Sequence, residues 1–200
     1  MTKFDEALCF AIEKHSGQTR RLSTAPYILH PLEVAAIVGT MTDDEDTLCA
    51  AVLHDTVEDT DATLEEIRDR FGKRVKLLVM METENKRADL PPAETWHLRK
   101  EETLIMLQHT RDICTKMMWL GDKLSNMRSF YREYLIKGDA LWQQFNQKDP
   151  AEQAWYYRTI LKAIPELKDT GAYREFEVLV NEVFKNVKDT NGGQSYEIRP

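Results

Sequence analysis

Apolar residues recur with the period of a helix along almost the whole chain, and no other feature restricts the fold as much. Phe4, Ala7, Leu8 and Ala11 are spaced i, i+3, i+4, i+7, and Val34, Ile37, Val38 and Met41 repeat the pattern. That spacing gathers apolar side chains onto one stripe of a 3.6-residue helix. No stretch alternates with period two between hairpin turn residues. The 8 glycines and 7 prolines fall between the periodic segments rather than within them. The expected fold is all-α, one helical domain around one core, with no sheet beyond a small hairpin.

Helix boundaries follow from local chemistry. Pro31 suits a first helical turn, which leaves His30 just outside it. Asp43 and Asp44 can cap the helix that carries Leu48 to Asp55. Thr63 with Glu66 is a capping-box pattern that opens Leu64 to Phe71. Gly72 closes that helix, and the next runs to about Glu84. Residues 84–92 read as an exposed loop. Two long helical patterns follow at 94–109 and 115–136, with Gly138, Pro150 and Pro165 as later breaks. No repeat or linker divides the chain, so residues 1–188 are expected to form one domain. Residues 189–200, with Asn191-Gly192-Gly193, are expected to be a flexible tail.

Composition bounds the function. A hydrophobic fraction of 42% and a charged fraction of 30% suit a globular chain. No run reaches the roughly 18–20 apolar residues that span a bilayer, so no membrane association is expected. Cys9, Cys49 and Cys114 are odd in number and far apart, which points to a reducing, cytoplasmic setting. Each lies in an apolar helical pattern and is expected to be buried. A net charge of −7 argues against general nucleic-acid binding. A phosphorylated small molecule stays compatible, provided that a metal or a few basic residues supply charge locally. Arg20–Arg21, Lys73–Arg74 and Arg99–Lys100 are such local clusters, although most basic pairs are solvated helix faces. Homo-oligomerisation is left open.

The chemistry-bearing residues stand at the ends of apolar runs. Ala50-Ala51-Val52-Leu53 leads directly into His54-Asp55, with Glu58-Asp59 one turn on. Ionisable groups at the end of a core helix need a partner or a metal. Adjacent helical side chains diverge by about 100°, so His54 and Asp55 need ligands from other segments. His30 lies between Tyr27-Ile28-Leu29 and Pro31. Trp119-Leu120-Gly121 precedes Asp122, and Asn126 shares the face of Asp122. Taken singly, each histidine fits an ordinary hydrogen-bonded or exposed role. Together, His30, His54, Asp55 and Asp122 make a mixed nitrogen and oxygen set suited to Mn²⁺, Fe²⁺ or Zn²⁺.

The order His15-x-Gly17-Gln18-x-Arg20-Arg21, Pro26-Tyr27-Ile28-x-His30-Pro31, Leu53-His54-Asp55-x-x-Glu58-Asp59-Thr60, Phe71-Gly72 and Asp122-Lys123-Leu124-x-Asn126-x-Arg128 resembles the HD hydrolase domain of Rel/Spo-type enzymes. The chain is similar in particular to the stand-alone small alarmone hydrolases. The resemblance implies an all-helical, metal-dependent phosphohydrolase. It implies removal of the 3′-pyrophosphate from guanosine tetra- and pentaphosphate, leaving GDP or GTP and pyrophosphate. It further implies Mn²⁺ held by His30, His54, Asp55 and Asp122. Glu58 and Asp59 correspond to the acids that position and deprotonate water. Arg21, rather than Arg20, corresponds to the arginine against the purine. Ser23, Asn126 and Ser129 correspond to polar positions of the nucleotide pocket, and Arg99 and Lys100 are candidates for the distal 5′-phosphates.

The chain departs from the family pattern at Leu22, Thr24, Ala25, Glu82–Asn85, Gly121 and Ser125, which touches the nucleotide pocket more than the metal set. Three other readings follow. One is an HD phosphohydrolase of another nucleotide, such as an adenosine alarmone, a nucleoside monophosphate or NADPH. Another is a non-catalytic nucleotide-binding module. The third is a helical scaffold whose acids all face solvent; the apolar approach to Asp55 and Asp122 disfavours it.

Overall fold

A computed structural model describes residues 1–87 and 89–188. The chain is helical throughout this range: α1 (Lys3–Lys14), α2 (Leu29–Val38), α3 (Glu45–Leu53), α4 (Thr56–Asp59), α5 (Leu64–Phe71), α6 (Lys73–Glu82), α7 (Pro92–His109), α8 (Ile113–Lys137), α9 (Pro150–Ala163) and α10 (Gly171–Val183). Among the described residues the β-structure consists of an isolated antiparallel bridge between Thr19 and Pro26. No described helix is long and apolar enough to cross a membrane. The tail expected at 189–200 lies outside the described residues.

Caps act where the sequence offers them. The Asp44 carboxylate accepts from the Thr47 N–H at 2.9 Å and starts α3. The Thr63 hydroxyl accepts from the Glu66 N–H at 3.1 Å and starts α5. Gly72, at φ +97°, turns the chain between α5 and α6 in a conformation that side chains disfavour. Helix α6 stops at Glu82, two residues short of expectation, and α7 begins at Pro92, two residues early. Helix α2 starts before His30, because Ile28 serves as its N-terminal flank. Pro31 still sits in the first turn, where its missing N–H forfeits no helical bond.

Burial organises around α8, which packs on α2, α3, α6 and α10. Two apolar clusters meet along α2 and α8, in place of one undivided core. Phe10, Val34, Leu53, Ile67 and Met118 belong to the first. Ile37, Trp119, Leu124, Trp142 and Phe176 belong to the second. Gly121 allows α2 and α8 to approach: a Cβ there would lie 2.8 Å from Val38 Cγ2 and 3.3 Å from the Val34 carbonyl. This close crossing sets His30 on α2 opposite Asp122 on α8. Cys49 is buried, but Cys9 is exposed and Cys114 only partly covered, contrary to expectation. Cys9 falls about 200° round α1 from the Ala7–Ala11 stripe, hence on the solvent side.

Candidate active site

His30, His54 and Asp122, all buried, present ligand atoms that lie within 4.8 Å of one another. His30 Nε2 is 3.1 Å from Asp122 Oδ1 and 3.6 Å from Asp55 Oδ2. His54 Nε2 is 3.0 Å from Asp55 Oδ2 and 3.9 Å from Asp122 Oδ1. The four residues come from α2, the α3–α4 junction and α8. They line a cavity of about 210 Å³ together with Glu58, Asp59, Glu82 and Asn126. Helix α3 ends at Leu53 and α4 restarts at Thr56, so His54 and Asp55 occupy a break. Both keep helical backbone angles, and their side chains nonetheless reach one another at 3.0 Å across the break.

Both histidines are oriented through their far nitrogen. His54 Nδ1 lies 2.9 Å from the Ala51 carbonyl, which can only accept, so this nitrogen carries the proton. His30 Nδ1 is 2.8 Å from Ser125 Oγ, which in turn donates to Glu33 Oε2 at 2.7 Å. Arg128 Nη1 closes on Glu33 Oε1 at 3.1 Å. Each ring therefore turns Nε2, the lone-pair nitrogen of the neutral ring, toward Asp55 and Asp122. Outer hydrogen bonds of this kind fix the tautomer of metal-binding histidines. His54 Nε2 is buried without an aligned hydrogen bond. This donor set fits a first-row divalent cation.

The electrostatics are those of a site crowded with acids. Burial opposes charge on His54, yet Asp55 and Asp122 outweigh it and push its pKa up to about 10. Burial holds His30 below the ordinary imidazole value. Burial would raise Asp55, but His54 and His30 hold its carboxyl well below the usual range. A dication at this point would replace the proton on His54.

Glu58 and Asp59 border the cavity. Burial, reinforced by Asp55 and Glu84, pushes Glu58 up to about 7, although the Glu84 N–H donates to it at 3.0 Å. That is a better match to a neutral-pH base than an ordinary carboxylate near 4. Lys86 reaches across both acids, bonding to Asp59 Oδ1 and to the Glu58 carbonyl. Tyr27 Oη donates to Asp55 Oδ2 at 2.6 Å and to Asp59 Oδ2 at 3.1 Å, tying the metal set to the acid pair.

The nucleotide-pocket candidates separate. Asn126 donates to Asp122 Oδ1 at 2.7 Å and accepts from Arg20 Nη2 at 3.1 Å. Arg20 lines the metal cavity, with its guanidinium 5.6 Å from the centre of the Tyr27 ring. Arg21 is exposed and faces the adjoining cleft of about 320 Å³, walled by Trp96, Phe130, Tyr156 and Tyr157; Arg20 borders it too. Ser23 and Ser129 lie instead in a groove on the other side of Arg20. Arg99 and Lys100 are turned onto Glu84, which bonds to both. Glu84, expected in an exposed loop, is therefore largely covered. Lys100 and Lys123 still border the cavity.

Sequence reasoning misses three residues. Tyr27 and Ser125 stand at pattern positions to which the sequence assigns no role. Glu82, at the end of α6, is buried with both carboxylate oxygens unpartnered. Burial pushes it up to about 8.

Comparisons with known proteins agree with this geometry. A GTP pyrophosphokinase of Brucella ovis is 41% identical over 128 residues, covering 62% of this chain and 16% of that protein. A guanosine-3′,5′-bis(diphosphate) 3′-pyrophosphohydrolase of Aquifex aeolicus is 38% identical over 122 residues, covering 61% and 17%. The chain thus spans about a sixth of the length of these curated relatives. A metazoan ortholog of SpoT, described as hydrolysing ppGpp, superposes with a TM-score of 0.67 at 28% identity, over 94% of this chain and 97% of that one. A Listeria monocytogenes protein superposes with a TM-score of 0.68 at 31% identity, over 78% and 99%. Residues 7–163 match the HD-domain family, and the chain belongs to it.

Proposed function

We propose that this chain is a divalent-metal-dependent phosphohydrolase that removes the 3′-pyrophosphate of guanosine tetra- and pentaphosphate, releasing pyrophosphate and GDP or GTP. The observation that carries the reading is the pair of histidines, each tied through Nδ1, whose Nε2 atoms meet Asp55 and Asp122 beside a carboxylate suited to act as base. Similarity over nearly the whole chain to a protein described as hydrolysing ppGpp supports this substrate class.

His30, His54, Asp55 and Asp122 would hold the cation, with Mn²⁺ the expected ion. When bound, the cation supplies Lewis acidity and neutralises charge on the phosphate oxygens. Glu58 accepts a proton from the attacking water, and Asp59, fixed by Tyr27 and Lys86, orients it. The water oxygen bonds to the phosphorus next to the ribose 3′-oxygen, the bond to that oxygen breaks, and the 3′-oxygen takes up a proton. Arg21 packs on the base in the aromatic cleft. Asn126 contacts the nucleotide near the metal, with Ser23 and Ser129 beyond Arg20.

One observation favours a second reading. Glu84 engages Arg99 and Lys100, the cations nearest in sequence to a distal-phosphate role. A nucleotide with less charge at its 5′ end, such as a nucleoside monophosphate or NADPH, would lose less by this, whereas an adenosine alarmone, with the same 5′ charge, would differ only in its base. Turnover of these nucleotides and of guanosine tetraphosphate with Mn²⁺, with products resolved by ion exchange, separates the readings. Pyrophosphate and GDP from guanosine tetraphosphate, abolished by a chelator, are expected. Faster turnover of another nucleotide would shift the substrate, and no turnover of any would leave a binding module.

A further inference from the structure

A carboxylate in a protein interior needs a hydrogen bond, a cation or a proton, since an unpaired charge there is costly. Among the described residues Glu82 has no hydrogen-bonding partner: both oxygens are buried and unbonded, and the residue is 8% exposed. It lines the same cavity as His30, His54, Asp55 and Asp122. Lys123, also in that cavity, is engaged by Asp122 and lies over the Trp119 ring. His54 Nε2 is a second buried atom of the cavity without an aligned bond. Two electron-pair donors, an imidazole nitrogen and a carboxylate, thus border one space without an aligned hydrogen bond. A divalent cation with its water would satisfy both.

We propose that Glu82 is a positioning carboxylate of the cation site, taking hydrogen bonds from water on the cation rather than binding it directly. The outer place follows from the geometry: Asp55 and Asp122 lie 3.0–3.9 Å from the Nε2 atoms of His30 and His54, whereas Glu82 makes no such approach among the described residues. The inference rests on the metal reading above and adds to it. It adds Glu82 to the acids already placed on this cavity, Asp55, Asp122, Glu58 and Asp59. It also accounts for a glutamate at the buried end of α6, where Val75, Leu78 and Val79 are apolar. A residue retained only for packing would serve better as leucine.

The two roles predict opposite signs. The test is Mn²⁺ titration of the full chain by calorimetry, with melting temperatures measured in chelator and in Mn²⁺. Glu82→Gln keeps the shape and removes the charge; it should weaken Mn²⁺ binding about 10–100-fold, the usual cost of losing an outer partner. Glu82→Leu should raise the melting temperature in chelator and shrink the rise that Mn²⁺ produces. Should Glu82→Gln bind Mn²⁺ within twofold of wild type, or should Glu82→Leu melt lower in chelator with an undiminished Mn²⁺ shift, Glu82 is a packing residue and the inference fails. His54→Ala separates this from the underlying reading: full Mn²⁺ affinity in that variant would overturn the ligand set itself.

Discussion

Replacing Ser125 by alanine removes one hydroxyl that serves two partners. Ser125 is fully buried on α8 and takes the His30 Nδ1 proton at 2.8 Å while donating to Glu33 at 2.7 Å. Glu33 keeps Arg128 after the change, so the loss falls on His30, which is 3% exposed. A buried donor left without an acceptor costs about 1–3 kcal/mol. In a chain of this size that lowers the melting temperature by about 2–12 °C. The larger effect is functional. Without the bond, the ring is free to rotate or change tautomer, and its Nε2 lone pair no longer faces Asp122. Losing an outer partner of a metal ligand costs about 10–100-fold in metal affinity. Calorimetric titration with Mn²⁺ and turnover across a range of Mn²⁺ concentrations read this directly. The expected pattern is a weakened Kd with kcat largely restored at saturating Mn²⁺. A lower melting temperature with an unchanged Mn²⁺ affinity would refute the argument, because His30 would then be held by packing and not by Ser125.

Two further predictions concern the acid pair and the cleft. Glu58, pushed up to about 7, must be deprotonated to accept a proton, so kcat/KM should fall as pH drops through about 7. Glu58→Gln should lower kcat about 10²–10⁴-fold and abolish that acid limb while Mn²⁺ binding persists; full turnover in this variant would remove Glu58 from the chemistry. Arg21→Ala should raise KM for the nucleotide more than it lowers kcat, the mark of lost ground-state binding. Arg20→Ala should also lower kcat, because Arg20 bonds to Asn126 beside Asp122. Steady-state kinetics on both variants check the contrast, which is lost if the two behave alike.

What the sequence conveys and what it withholds divide along the range of the contacts. Helical periodicity is local, so the α-helices and most of their caps are legible in the order of residues alone. The same stripe misjudges Cys9, because an apolar residue within a helix need not lie on its buried side. The residues gathered at the cavity are recognisable because each acid or histidine ends an apolar run. Tyr27 and Ser125 lack such a mark, whereas Glu82 carries it, directly after the apolar run Leu77-Leu78-Val79-Met80-Met81. Tyr27 reaches Asp55 across 28 positions and His30 reaches Ser125 across 95, so only the packing of α2 on α3 and on α8 reveals them. Glu84 carries a warning, an acid in place of a base, but its hold on Arg99 and Lys100 depends on the path of residues 83–87.

The break at His54–Asp55 shows how local and long-range effects combine. Helical geometry argues that these neighbours diverge, and in an unbroken helix they would. The Thr56 hydroxyl donates to the Leu53 carbonyl at 2.7 Å, a local bond that competes with the helical ladder. Thr60 does the same to Thr56 at 2.6 Å, and α4 is confined between them. The helix is interrupted at the histidine and aspartate, whose side chains come within 3.0 Å. A threonine directly after His-Asp is compatible with the break but does not force it, since Thr159 bonds back to the Trp155 carbonyl at 2.7 Å inside the unbroken α9. What it does not tell is what the two residues face, because that depends on Gly121 admitting α2 against α8 and carrying His30 to the same place.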